Sequence, residues 1–522
     1  MTTVGAYFRL ARAGWIMVRE GVVAALPGDQ LTGPPKTAWR VARLMARRRS
    51  AGRDRSERFA KAATRLGPSY VKLGQFLATR PDVVGTEIAL DLANLQDRME
   101  KFPQAQSVAA VQDSLGRPVR ELFETLGEPV AAASIAQVHP ATLPESGRRV
   151  AVKVIRPGVR RRFFHDLESY FVAARLQERF IPATRRLRPV QVTETLAQTT
   201  KIEMDLRLEA AALSEIAENT RDDPGFRVPT VDWERTGRDV LTLEWIDGVK
   251  MSNIEGLREA GHDLPALAAN LIQNFLRHTL RDGFFHGDMH PGNLFVEADG
   301  TIVAVDFGIT GRLGKKERRF LAEILYGFIM RDYRRVAEVH FEAGYVPAKH
   351  DVAAFAQAIR AIGEPIHGQP AETISMAKLL TLLFEVTELF DMAARPELVL
   401  LQKTMVVVEG VSRSLDPHFN MWKTAEPVVG DWIAANLGPR GLLTDARDGV
   451  SAMVALARQA PELAARAERL SREIDAMAEH GLRFDDETAR AIGKAEARHT
   501  RSGRVALWVI ALALVWIAWQ VA

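Results

Sequence analysis

The chain has 522 residues and no cysteine. Disulfides, thiolate zinc sites, cysteine-held iron–sulfur clusters and a cysteine nucleophile are excluded together. No Gly-x-Gly occurs anywhere in the sequence. Both the dinucleotide fingerprint and the glycine-rich phosphate loop of protein kinases are therefore missing. There is no internal repeat, which excludes solenoids and propellers. Arg9, Arg12 and Arg19 interrupt the N-terminal apolar run, and no small-residue cleavage site follows, so a secretory signal is excluded. Nor does one sign of charge dominate, with 69 basic and 65 acidic residues. Hydrophobic residues at 47% and charged residues at 26% exclude wholesale disorder and a polytopic membrane protein. The length accommodates about three domain-sized units.

What charge there is lies unevenly. Residues 1–53 carry ten Lys/Arg against Glu20 and Asp29, a basic arm suited to an anionic surface of lipid or nucleic acid. The C-terminus favours lipid over nucleic acid. Val505 to Ala522 has no charged residue. As a helix it spans about 27 Å, close to the hydrocarbon core of a bilayer. Trp508, Trp516 and Trp519 suit its interfaces, and Arg498, His499, Arg501 and Arg504 precede it. By the positive-inside rule the body then faces the cytoplasm from the cytoplasmic membrane. At the other end, Tyr7, Phe8, Trp15 and their neighbours with interleaved Arg fit either an amphipathic interfacial helix or a surface helix on the protein's own core.

Between the ends, residues 28–37 read as a linker with Gly33, Pro34 and Pro35 as breakers. Residues 54–126 are mostly helical by spacing. The period then changes: Val130 to His139 and Arg149 to Ile155 are predicted strands around the turn PATLPESG. A helix is predicted over 190–219, a strand over Val240 to Ile246, and a helix over 262–282. A hairpin, Leu294 to Glu297 with Ile302 to Val305, turns at Ala298-Asp299-Gly300. After residue 315 nearly everything is helical.

The chemistry is concentrated at His286 to Asn293, HGDMHPGN, followed by Asp306-Phe307-Gly308. An aspartate five residues before an asparagine, then a hairpin, then a second aspartate before Phe-Gly, is the order kinases use. Phosphoryl transfer from ATP develops charge on phosphate oxygens, and Mg²⁺ neutralises it. That hard cation takes carboxylate and amide oxygens, which Asp306 and Asn293 supply. Asp288 stands as base or orienter of the nucleophile. Upstream, Lys153 in VAVKV is a strand lysine for the α- and β-phosphates, and Glu209 on a following helix is its ion-pair partner. By position, the backbone of Glu244 to Ile246 meets adenine. Where a kinase places glycines, this chain has Val130, Ala131, Ala132, Ala133 and Ser134, with Val138 on the strand beyond. Alanine lacks the backbone range of glycine, so nucleotide is held differently. The Ala-Pro-Glu of an activation segment is missing from its place; the copy at 460–462 lies far downstream.

The sequence resembles the UbiB/ABC1/ADCK atypical kinase-like family over about residues 55–345. Four marks carry the resemblance: Lys72-Leu73-Gly74-Gln75 as the K-x-G-Q signature, the alanine-rich loop, Glu203-Met204-Asp205 as the E-x-D motif, and HGDMHPGN with DFG. It implies an α+β, two-lobed, protein-kinase-like fold. The expected segments are a basic arm (1–53), a helical extension with the K-x-G-Q helix (54–126), an N-lobe (127–248), the catalytic part of the C-lobe (249–345), a helical C-terminal region (346–503) and a transmembrane tail anchor (504–522). It implies that Lys72 and Gln75 reach toward Glu203, Asp205 and the nucleotide, as a lid where a protein substrate would dock. It further implies ATP and Mg²⁺ as cofactors, ATPase or atypical kinase activity in ubiquinone biosynthesis, and polyprenylphenol lipid intermediates and other ubiquinone-biosynthetic enzymes as partners. A nucleotide-binding scaffold and a protein or small-molecule kinase are the alternatives. No residue pattern supports a hydroxylase. The family's bacterial members commonly show two C-terminal spans and this chain shows one, which leaves topology and pairing of two copies through the spans open.

Overall fold

The structure, a computed structural model, describes residues 3–22, 55–78, 80–93, 100–180, 187–368, 389–392 and 396–437, with residues 40, 185 and 386. The linker at 28–37 and the apolar segment Val505 to Ala522 lie outside the described residues. Among the described residues no helix is long and apolar enough to cross a membrane.

Helix α1 (Thr3–Arg19) presents small and apolar residues, Ala6, Ala13 and Ile16, to the core. A helical extension follows: α2 (Arg55–Leu66), α3 (Pro68–Ala78, carrying the K-x-G-Q residues) and α4 (Thr86–Ala93). Helix α5 (Gln104–Leu115) ends on Gly116, whose φ of 67° suits glycine.

The N-lobe is an antiparallel sheet. Its strands are β1 (Thr125–Leu126), β2 (Ala131–Ala132), β3 (Ala136–Thr142), β4 (Arg149–Ile155) and, later in the chain, the strand over Val240–Glu244. Val150, Val152 and Val154 of β4 alternate into a core with Leu122, Phe123 and Val240. That alternation turns Lys153 to the other face. The predicted turn PATLPESG begins later than its composition suggests, because Pro140, Ala141 and Thr142 still pair with β4.

Helix α6 (Val159–Phe180), which sequence periodicity did not single out, carries α1 and α3 on its surface. The helix predicted over 190–219 is two helices, α7 (Pro189–Glu203) and α8 (Leu206–Asn219). The break is the E-x-D motif itself: the Asp205 carboxylate accepts from the Arg207 backbone N–H and caps α8.

The chain then gives β5 (Phe226–Arg227) to the C-lobe sheet, β6 (Val240–Glu244) to the edge of the N-lobe sheet as described above, and β7 (Val249–Lys250) to the C-lobe sheet. Its central helix α9 (Leu264–Arg277) starts at an Asp263 cap and buries Leu267, Leu271 and Phe275. Strands β8 (Phe284–His286), β9 (Leu294–Val296), β10 (Ile302–Ala304) and β11 (Thr310–Arg312) hold the catalytic loop. β9 and β10 form the expected hairpin, and β8 pairs with β11. Helices α10 (Lys315–Ile329), α11 (Tyr333–Glu342), α12 (Val352–Gly368), α13 (Pro396–Leu415) and α14 (Met421–Asn436) complete the helical region. Tyr333, Val336 and Phe355 centre one of its cores. α13 instead joins the main core through Leu401, Val408 and Val411, against α9.

Candidate active site

Four elements bring the charged residues together. Lys153 leaves the middle of β4, opposite Val138 of β3 and Leu241 of β6. Its ammonium donates to both carboxylate oxygens of Glu209, at 2.8 and 3.0 Å, and to Asp306 Oδ1 at 2.8 Å. Glu209 is aimed there because Leu206, Ala210 and Leu213 bury the neighbouring face of α8. The start of α8 is fixed from behind: Leu206 N–H donates to Arg238, and Arg160 binds the Met204 carbonyl and the Asp239 carboxylate. Asp306 adopts φ of 62°, a left-handed backbone rare for a non-glycine residue and frequent at functional sites.

The electrostatics follow from sharing one cation between two carboxylates. Burial works against the charge on Lys153, but Asp306 and Glu209 outweigh it and hold the ammonium above its ordinary value. Burial likewise disfavours the Asp306 carboxylate, but the Lys153 charge outweighs it and brings the carboxyl down to about 2. Lys72 adds to that lowering. Glu209 goes the other way: burial, only partly offset by Lys153, lifts it to about 7.

The catalytic loop is built around His286. Its Nδ1 accepts from the Asp288 backbone N–H at 3.0 Å, so its Nε2 carries the proton that reaches the Val305 carbonyl at 3.2 Å. Its ring lies 4.4 Å from that of Phe307. Asn293 donates through Nδ2 to the Asp288 carbonyl (3.1 Å) and carboxylate (3.3 Å). Its amide oxygen is thus the atom it can offer a cation. Asp306 and Asn293 are joined through the Val305–Asn293 backbone bond of 2.9 Å. The donor set, one carboxylate and one amide oxygen, fits Mg²⁺ arriving with phosphates rather than a cage built of protein alone.

The K-x-G-Q and E-x-D motifs meet through Lys72 and Glu203, at 2.6 Å with both side chains largely buried. Asp205 is placed differently from the expectation. It binds Arg207 through side chain and backbone, and that hydrogen bonding lowers its pKa. Gln75 stands half-buried on α3, three residues beyond Lys72.

The alanine-rich loop is a tight hairpin. Ala131 faces Val138, Ala132 faces Gln137, and Ala133 N–H donates to the Ala136 carbonyl at 2.8 Å. Val130 is exposed and Ser134 fully buried. At the expected hinge, Arg227 forks onto the Glu244 side chain and also binds Glu297. The Glu244 backbone N–H donates to Thr230. Ile246 follows half-buried, beyond Trp245.

Sequence reasoning missed three supports. The Thr404 hydroxyl of α13 lies 3.0 Å from the Gly287 carbonyl and 2.8 Å from the Leu400 carbonyl of its own helix, sharing one proton between them, and Ile309 and Leu400 crowd the place a Gly287 Cβ would take. Gln137, His139 and Ser107 form a buried polar network that also clasps the Phe102 backbone under the alanine-rich loop. Arg312 of β11 forks onto Glu215 of α8. A polar residue on an inward strand position was the only signal for the second; the others pair residues far apart in sequence.

Comparison with known proteins gives the family. The ABC1 atypical kinase-like domain model matches residues 94–340, and the UbiB helical domain model matches residues 359–420. A probable protein kinase UbiB of Marinobacter nauticus is 38% identical over 462 residues, 87% of this chain and 84% of its own. The chain belongs to the UbiB family. A second UbiB relative, from Azotobacter vinelandii, is 40% identical over 406 residues, covering 77% of this chain and 75% of its own. A solved Mycobacterium tuberculosis protein in complex with erythromycin, Rv3197, aligns with a TM-score of 0.47 and 24% identity, covering 75% of this chain and 98% of that one. At the general level, the chain is a kinase-like enzyme with an α+β kinase-like fold and a helical C-terminal region. The UbiB helical domain supplies α13, and with it Thr404 beneath the catalytic loop.

Proposed function

We propose that this UbiB-family protein binds Mg²⁺·ATP between its lobes and works as an ATPase or atypical kinase in ubiquinone biosynthesis. In this reading it is anchored at the cytoplasmic membrane and acts on or presents a polyprenylphenol intermediate. The observation that carries the reading is Lys153 held by Glu209 and Asp306 at hydrogen-bond distance, beside the Asp288–Asn293 loop. Lys153 would hold the α- and β-phosphates, with Glu209 fixing its position. Asp306 and Asn293 would hold Mg²⁺, which when bound neutralises the charge developing on the transferred phosphoryl group. Asp288, kept in place by Asn293 and by His286, would orient the acceptor hydroxyl or water and take its proton. His286 holds its own proton toward Val305 and stays out of the transfer.

A second reading, phosphorylation of a protein or small molecule, is favoured by the protein-kinase names of the relatives. The Lys72–Glu203 bridge supports the first, because it fixes the extension beside Asp306, where a protein acceptor would need access. The test is phosphate release by the purified full chain, with and without liposomes and a prenylphenol mimic, alongside Asp306→Asn. Release that depends on Asp306 and rises with the lipid and mimic is the expected result. Release unaffected by Asp306→Asn would overturn the assignment, and label passing to added protein in place of water or lipid would favour the second reading.

A further inference from the structure

Helix α1 is docked by one face and leaves a chemically distinct face outward. Ala6, Ala13 and Ile16 are buried, and Arg9 ties the helix to α6 through Ser169 and Glu168. Opposite them, Tyr7, Phe8 and Trp15 are 48%, 73% and 56% exposed. Phe8, Arg12, Trp15 and Arg19 follow at spacings of four, three and four, which puts them on one stripe of a helix of 3.6 residues per turn. Arg12 and Arg19 are exposed. Thr3–Arg19 contains no acidic residue. A folded helix has no need to hold aromatic rings in water, and exposed apolar groups alternating with cations mark a contact surface.

We infer that this outer stripe of α1 lies on an anionic bilayer surface while its inner face stays docked on α6. Aromatic rings between arginines suit the interfacial zone, where the ring enters the acyl boundary and the guanidinium meets lipid phosphate. The charge argues for lipid over a second copy of the chain: two like faces of this composition would oppose arginine to arginine. The excess of ten basic over two acidic residues in 1–53 has the same sign. The contact is independent of nucleotide chemistry, so an inactive Asp306→Asn protein would keep it.

The absence of cysteine makes the test direct. Trp15→Cys offers a single attachment point for an environment-sensitive dye on the full chain, with Arg334→Cys on the exposed side of α11 as the control. In proteoliposomes containing phosphatidylglycerol, the dye at position 15 is expected to shift to the blue and be quenched by quencher-bearing lipids. High salt, neutral phosphatidylcholine vesicles, or Arg12→Glu with Arg19→Glu should remove most of that response. The control dye should show none. Equal emission in anionic vesicles, neutral vesicles and detergent would overturn the inference. A blue shift without lipid that grows with protein concentration would overturn it too, in favour of pairing between two copies.

Discussion

Asp306 concentrates more of the site's chemistry than any other side chain, since it faces Lys153 and is the one carboxylate suited to Mg²⁺. Asp306→Asn should abolish Mg²⁺-dependent nucleotide binding and lower phosphate release by about 10²-fold or more, as loss of a charged metal ligand does. Titration calorimetry with and without Mg²⁺ checks this. Glu209 makes a different, pH-dependent statement. The folded protein holds its proton more tightly than the unfolded chain, with its carboxyl at about 7 against an ordinary 4.5. That contribution favours folding below pH 4.5 and is lost as pH rises through 7. Glu209→Gln lacks the loss. Its melting temperature relative to wild type should therefore climb across this window, read from thermal denaturation at a series of pH values. A constant difference would show that Glu209 titrates as an ordinary glutamate.

At the scale of elements, α13 buttresses the catalytic loop from below. Thr404 is buried, and its one hydroxyl proton is shared between the Gly287 carbonyl and the Leu400 carbonyl of its own helix. Thr404→Val keeps the shape and leaves the Gly287 carbonyl without the hydroxyl, at a cost of about 1–3 kcal/mol. Denaturant unfolding should show that loss. If the buttress also positions the loop, turnover should fall while nucleotide affinity holds, since Lys153 and Asp306 are untouched. Arg312–Glu215 ties β11 to α8. As a largely exposed pair it contributes little to stability.

At the scale of the whole molecule, the helical extension is fastened to the kinase-like core on two sides. Lys72 meets Glu203, and Ser69 of the same helix meets Asp166 of α6. The alanine-rich hairpin is closed by backbone bonds. Ala133→Gly should widen the hairpin's conformations. Tighter ATP binding and some autophosphorylation on the basic arm before residue 60 are the expected outcomes, with loss of quinone-related function. Lys72→Ala, the companion, should loosen the extension and also permit label. Nucleotide affinity and ³²P incorporation, compared with wild type, decide it; unchanged values in both variants would show that neither loop nor extension restrains the site.

The sequence by itself carried the kinase-like residue pattern. Lys153, Glu209, Asp288, Asn293 and Asp306 were legible because phosphoryl transfer demands those residue types in that order, and the hairpin between Asn293 and Asp306 has local turn chemistry. β4 and β6 were legible from their apolar and β-branched runs, whereas the single strand expected over Val130 to His139 is the β2–β3 hairpin, which turns at Ala133 to Ile135. Only the tertiary structure decided what lies far apart in the chain. Glu244 turns to Arg227, whose guanidinium also binds Glu297, partners brought together by the lobes' meeting strands. Thr404 reaches Gly287 across 117 residues. The inner and outer faces of α1 were told apart by the helices it packs on, α6 and α2, which cover Ala6, Ala13 and Ile16 and leave Phe8, Arg12, Trp15 and Arg19 exposed.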